Sequence, residues 1–259
     1  MDRKEFQDFF EKNKEKFIPG IYNYCDRWCE RCNFTSKCSS YAMEQQREHN
    51  TDAENGDFIN QVSENFKIVM EMLLEMAEEK GIDLNAIDHE IDDKEDQLEE
   101  LAKNHILSTQ SMEYSKLVRK WFDQNETTLE KITQEINQSI KLGTANKNTI
   151  SKFESIKDAL EIIRWYCFQI HVKLTRALRH GEPDLDFEDV IQNDANGSAK
   201  VALIGTERSL GAWGVLHKQL PEQEDEILNI LLLLEKIRNG IFKSFPEVNN
   251  FMRPGFDDK

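Results

Sequence analysis

Four cysteines, Cys25, Cys29, Cys32 and Cys38, fall within fourteen residues, in the order C-x3-C-x2-C-x5-C. Thiolates are soft anionic ligands. Four of them in one short segment can surround a single Zn2+ or hold the irons of one [4Fe–4S] cluster. Zinc sites more often use two separated C-x2-C knuckles. Here only Cys29 and Cys32 have that gap, and the outer cysteines lie close on either side. A compact loop suits a cluster, with each cysteine on a different iron. Tyr24, Trp28, Phe34 and Tyr41 interleave with the cysteines and are expected to screen the site from water. Arg27, Arg31 and Lys37 offset the charge of thiolates and cluster. The fifth cysteine, Cys167, sits on the apolar face of a predicted helix and reads as a small core residue.

The segment Cys29-Glu-Arg-Cys32-Asn-Phe-Thr-Ser-Lys-Cys38 resembles the end of the iron–sulfur loop of endonuclease-III-type DNA glycosylases, whose cysteines run C-x6-C-x2-C-x5-C. Phe34, two residues after the third cysteine, matches an apolar position of that loop. The resemblance implies a [4Fe–4S] cluster held by the four cysteines. It does not carry the glycosylase activity. The first gap is three residues instead of six, and neither the helix-hairpin-helix glycines nor the catalytic Lys/Asp context is present. Cys25, Cys29 and Cys32 alone have the radical S-adenosylmethionine spacing. That chemistry needs an open iron in a β/α barrel, whereas Cys38 supplies a fourth ligand and no strand–helix alternation is seen.

Elsewhere the chemistry is sparser. A ferritin-like di-iron site needs Glu three residues before His on two helices. None of the six histidines has Glu at that position. Glu161, Trp165 and His171 on one predicted helix, with Lys200 and Glu207 on the next, are candidate pocket residues. A competing account makes them a solvated stripe, ion pairs across a bundle and a satisfied core histidine. There is no G-x4-G-K-[ST], G-x-S-x-G or G-x-G-x-x-G.

Helices must position all of these residues. Only 11 glycines and 5 prolines interrupt 259 residues, which disfavours a strand-rich fold. A short helix is expected over residues 1–18, with Phe6, Phe9, Phe10 and Phe17 apolar, broken by Pro19-Gly20. Residues 47–57 read as a polar linker. The 3.6-residue period then predicts helices from Phe58 to Lys80, Asp93 to Phe122, Leu129 to Ile140, Thr149 to Arg179, and Ala195 to Lys218, with a last one entered at Pro221. Gly181-Glu-Pro183 is expected to stop the Thr149 helix, and Asp194 to cap the next. That helix is rich in small residues, Ala195, Ala199, Ala202, Gly205 and Ala212, which allow close helix approach.

The expected fold is all-α, a multi-helix bundle with a small N-terminal cysteine-ligated metal module. Residues 1–50 form the module, 58–245 the bundle and 246–259 a tail. The net charge of −16 opposes general binding to a nucleic-acid backbone. No apolar stretch is long enough to span a membrane, and the charged N-terminus does not read as a signal peptide. A cytoplasmic location follows, where clustered thiols stay reduced. The expected function is redox work or sensing through a [4Fe–4S] cluster, with a protein partner. The alternative is a zinc-stabilised helical interaction protein. A third reading, a helical-bundle enzyme, requires a ligand-sized cavity bordered by Glu161 and Glu207.

Overall fold

The regular apolar period of the chain produces helices and, among the described residues, no strand. A computed structural model describes residues 12–13, 15–50, 56–81, 90–179 and 189–257. Seven α-helices lie among them: α1 (Ser39–Asn50), α2 (Gly56–Lys80), α3 (Glu90–Asn104), α4 (Ile106–Lys141), α5 (Lys147–Arg179), α6 (Asp194–Gln219) and α7 (Glu224–Ser244). The expected phenylalanine positions 6, 9 and 10 fall outside the described residues, as does the Gly181–Pro183 stop. No described helix is long and apolar enough to cross a membrane.

Packing divides the described chain into two compact units. Residues up to Glu95, with 253–257, form one, and Asp96–Met252 form the other. In the second unit α4, α5, α6 and α7 make a four-helix bundle in which each helix packs most extensively on two others: α4 on α5 and α7, α6 on α5 and α7. Arg176 near the end of α5 grips Asp194 at the start of α6 (Nε to Oδ2 2.8 Å), so these two helices run antiparallel. The buried stripe of α5, Ile156, Ala159, Ile163, Tyr166, Ile170, Leu174 and Ala177, repeats every three or four residues, as one core-facing side of a helix requires.

The small residues of α6 do what their size suggests. A Cβ added to Gly205 would lie 2.8 Å from Tyr166 Cδ1 and 3.2 Å from Ile170 Cγ1 of α5. The Tyr166 ring cannot easily give way, because Arg208 Nη1 donates to its hydroxyl. Gly205→Val is therefore expected to lower stability by about 3 kcal/mol through overpacking. A Cβ added to Gly211 on the same helix would meet nothing within 4 Å. Gly211→Ala is expected to be neutral, or stabilising by up to about 1 kcal/mol. Urea midpoints of the two variants check both, and equal midpoints would remove the close-approach argument.

Several helix boundaries differ from the sequence expectation. The predicted helix from Asp93 to Phe122 is broken at His105, which is extended and caps α4: its Nδ1 accepts from the Leu107 amide (3.2 Å). His105 is thus a cap, and Leu101 points to solvent while Ala102 is buried. Conversely, no break separates Phe122 from Leu129, and α4 runs through both expected helices. Asn125 lies buried inside it and donates to the Trp121 carbonyl (2.9 Å). Residues 47–50, read as linker, continue α1. Asn193, not Asp194, caps α6 by accepting from the Asn196 amide (2.9 Å), which leaves Asp194 for Arg176. Pro221 begins a single 3₁₀ turn, Pro221–Gln223, that leads into α7.

Candidate metal centre

Short turns, not long elements, position the four cysteines. Pro19-Gly20 ends the preceding segment with Gly20 in the left-handed region (φ +71°). The Ile18 amide donates to the Lys37 carbonyl (3.0 Å), tying the entrance of the loop to its exit. Cys29 opens one 3₁₀ turn, Cys29–Arg31, and Cys32 closes it through its amide to the Cys29 carbonyl (3.1 Å). Cys38 closes a second, Thr35–Lys37, and its carbonyl accepts from the Ala42 amide (3.1 Å) as α1 begins. A four-residue backbone step around Cys25 and Cys29 is obtained at a cost. Arg27 has φ +57°, unusual for a residue with a side chain. The Asp26 carboxylate stabilises the turn by accepting from the Trp28 amide (3.2 Å).

All four cysteines line one pocket, with Ile21, Tyr22, Trp28, Phe34, Tyr41 and Phe256 among the other walls. All four thiols are half-buried and free of disulfides. Burial pushes the Cys29 thiol up to about 11, and the neighbouring Cys25, Glu44, Cys38 and Cys32 add to the rise. The other three cysteines thus all act electrostatically on Cys29, as a shared site demands. The Phe34 amide donates to Cys32 Sγ (3.4 Å). The Cys25 thiol donates to the Tyr22 carbonyl (3.5 Å).

The walls differ in part from those expected. Trp28, Phe34 and Tyr41 line the pocket, but Tyr22 does so where Tyr24 was expected. Arg27 lies in the wall, while the Arg31 guanidinium stacks on the Trp28 ring, 4.1 Å from its centroid. Among the described residues no group of three or more His, Cys, Asp or Glu is placed to hold a metal ion. The four thiols share one wall, and thiolate is a soft metal-ligating donor, but their placement is not that of a closed ligand set. Two contributors had no signal near the motif. Glu44 approaches from α1, and Phe256 comes from the far end of the chain.

The bundle residues singled out from the sequence have separate surroundings. Glu161 is exposed, with Lys157 Nζ 3.9 Å away. Trp165 is half-buried and Glu207 exposed. Lys200 Nζ donates to the Asn249 carbonyl (3.0 Å). None of the five lines either of two open grooves on the bundle, of about 530 and 510 Å³. The seam between α5 and α6 is closed at Gly205 by Tyr166 and Ile170. Cys167 Sγ donates to the Arg164 carbonyl (3.2 Å), and burial raises its thiol above the ordinary range.

His171 contacts Ser111 across the bundle (Nδ1 to Oγ 3.1 Å), and Ser111 also donates to the Ser108 carbonyl (2.9 Å). Burial lowers the His171 pKa from the ordinary 6.5, a shift opposed by the Ser108 backbone. The unfolded chain therefore takes up the proton first as pH falls, so His171 stabilises the fold above 6.5 and that contribution is lost below it. His171→Gln is expected to flatten the decline of the thermal midpoint between pH 7.5 and 5.5, and superimposable wild-type and variant profiles would contradict this.

No protein-family model matches the chain, and no curated protein or solved structure matches it either.

Proposed function

We propose that Cys25, Cys29, Cys32 and Cys38 hold a [4Fe–4S] cluster and that the protein serves a redox role, in electron transfer or in redox or iron sensing. The observation that carries this reading is the pocket lined by all four cysteines, the other three of which act on the Cys29 thiol. Burial and the neighbouring groups penalise ionisation of Cys29, and a cationic centre would reverse that penalty. A bound cluster would supply one-electron chemistry. The chain's own part is to exclude water with Trp28, Phe34 and Tyr41 and to place the Phe34 amide against Cys32 Sγ. Arg27 in the wall tempers the negative charge. The helical body would serve as the docking surface for a protein partner. Free thiols at this density call for a reducing compartment, so the cytoplasm is the proposed location.

A second reading is Zn2+ pinning a helical interaction protein, since four thiolates also satisfy one tetrahedral ion. Metal and acid-labile sulfide analysis of protein purified without oxygen separates the two. Iron with matching sulfide and broad visible absorbance supports the cluster. Stoichiometric zinc without sulfide supports the second reading and overturns the first.

A further inference from the structure

The last described residues do not trail away from the molecule. Residues 253–257 fold into one turn, with the Phe256 and Asp257 amides both donating to the Arg253 carbonyl (3.1 Å each). A clasp closes it: the Arg253 amide and Nε each donate to Asp257 Oδ2 (3.0 Å), and Nη2 donates to Oδ1 (2.8 Å). Both side chains of the clasp are largely shielded from solvent, which separates it from an ordinary surface ion pair. The Arg253 guanidinium also lies 4.9 Å from the Phe256 ring centroid, fixing that ring from one side.

Two contacts set the turn against the cysteine loop. Gly255 adopts φ +75°, and a Cβ there would lie 2.9 Å from Ile18 Cδ1 and 3.0 Å from Ile21 Cδ1, so only glycine fits both the backbone and the space. The Phe256 ring meets the Phe34 ring edge to face, with centroids 5.0 Å apart at 71°, and forms part of the cysteine pocket wall. Phe34 is the residue whose amide donates to Cys32 Sγ.

We infer that the 253–257 turn is a built-in cap on the cysteine centre, in which Phe256 excludes solvent from the thiols and positions Phe34 against Cys32. This rests on the reading that the four cysteines act together as one ligand set. Phe256 is a positioning residue: its ring closes the wall, while the sulfur is met by the Phe34 amide.

The cap is tested apart from the identity of the bound group. In a Cys167→Ala background, the four remaining thiols of the full-length, reduced and metal-free chain are titrated with Ellman's reagent. Phe256→Ala is expected to speed their reaction about tenfold, because protection depends on how readily the wall opens. Met252→Ala, an exposed change just before the turn, is expected to leave the rate unchanged. Phe256→Leu keeps apolar bulk and is expected to fall between, and it serves if the alanine variant does not fold. Equal rates in parent and Phe256 variants overturn the cap, as does an equal rise in Met252→Ala. Anaerobically reconstituted Phe256→Ala is also expected to lose its visible absorbance faster in air. Were no cluster to form at all, the thiol rates would still decide the cap, so the two readings fail separately.

Discussion

Cys29→Ser is expected to reduce bound iron and sulfide at least tenfold, while the far-UV signature of the bundle persists. Cys29 is the cysteine whose thiol is shifted most clearly: burial, with Cys25, Glu44, Cys38 and Cys32 adding to it, raises it to about 11. Serine keeps the size but cannot act as a soft anionic ligand, so one corner of the set is lost. Removal of one ligand lowers metal affinity by well over the ten- to hundredfold typical of changes behind the ligands. The bundle should survive because Asp96–Met252 forms its own compact unit with its own core. Cys167→Ser is the control, since that thiol interacts with the Arg164 carbonyl within α5. Retention of full metal and sulfide by Cys29→Ser would exclude the four-cysteine ligand set. Collapse of helix content would show instead that the centre stabilises the whole chain.

Trp213→Ala is the substitution expected to damage the bundle most. Trp213 is fully buried (0% exposed), and its ring stands edge-on to Trp121 with centroids 5.0 Å apart. Its Nε1 donates to the Tyr114 hydroxyl (3.2 Å), itself fully buried. Burial pushes the Tyr114 phenol far above its ordinary range, partly opposed by hydrogen bonding, so it remains a neutral partner at any working pH. Truncation leaves a large cavity and removes a partner from a buried hydroxyl, a loss of about 3–5 kcal/mol. Trp213→Phe preserves the aromatic contact and should cost roughly half as much. Urea unfolding measures the difference directly, and a loss below about 1 kcal/mol for the alanine variant would show that the bundle refills the space.

How much of this was legible in the sequence depended on range. The extent of α5 as one long helix and the close approach allowed by α6 followed from local spacing, because a helix repeats its buried face every few residues. The break at His105 did not, since no glycine or proline marks it and the cap is an imidazole. The uninterrupted passage of α4 past Asn125 was equally hidden. A polar residue usually signals a loop, but here its amide donates to the carbonyl of Trp121, one turn back. In the pocket, Trp28, Phe34 and Tyr41 were readable because they neighbour the cysteines. Glu44 and Phe256 were not, because one reaches the site from the next helix and the other from the opposite end of the chain. Glu161 and Glu207 looked like cavity residues because periodicity gives a helix face without saying whether it meets a neighbour or water.

Phe256 enters the wall of a pocket whose cysteines are made more than two hundred residues earlier. On a ribosome adding roughly 5–20 residues per second, the ligand loop emerges ten seconds or more before the ring that closes it. Until then the cysteine segment lacks that part of its wall. Loading before Phe256 arrives would need no reopening of the wall, whereas loading afterwards would have to displace it. Were the four cysteines to take up a metal centre, the order of synthesis would give the nascent chain a stage at which the wall is still incomplete.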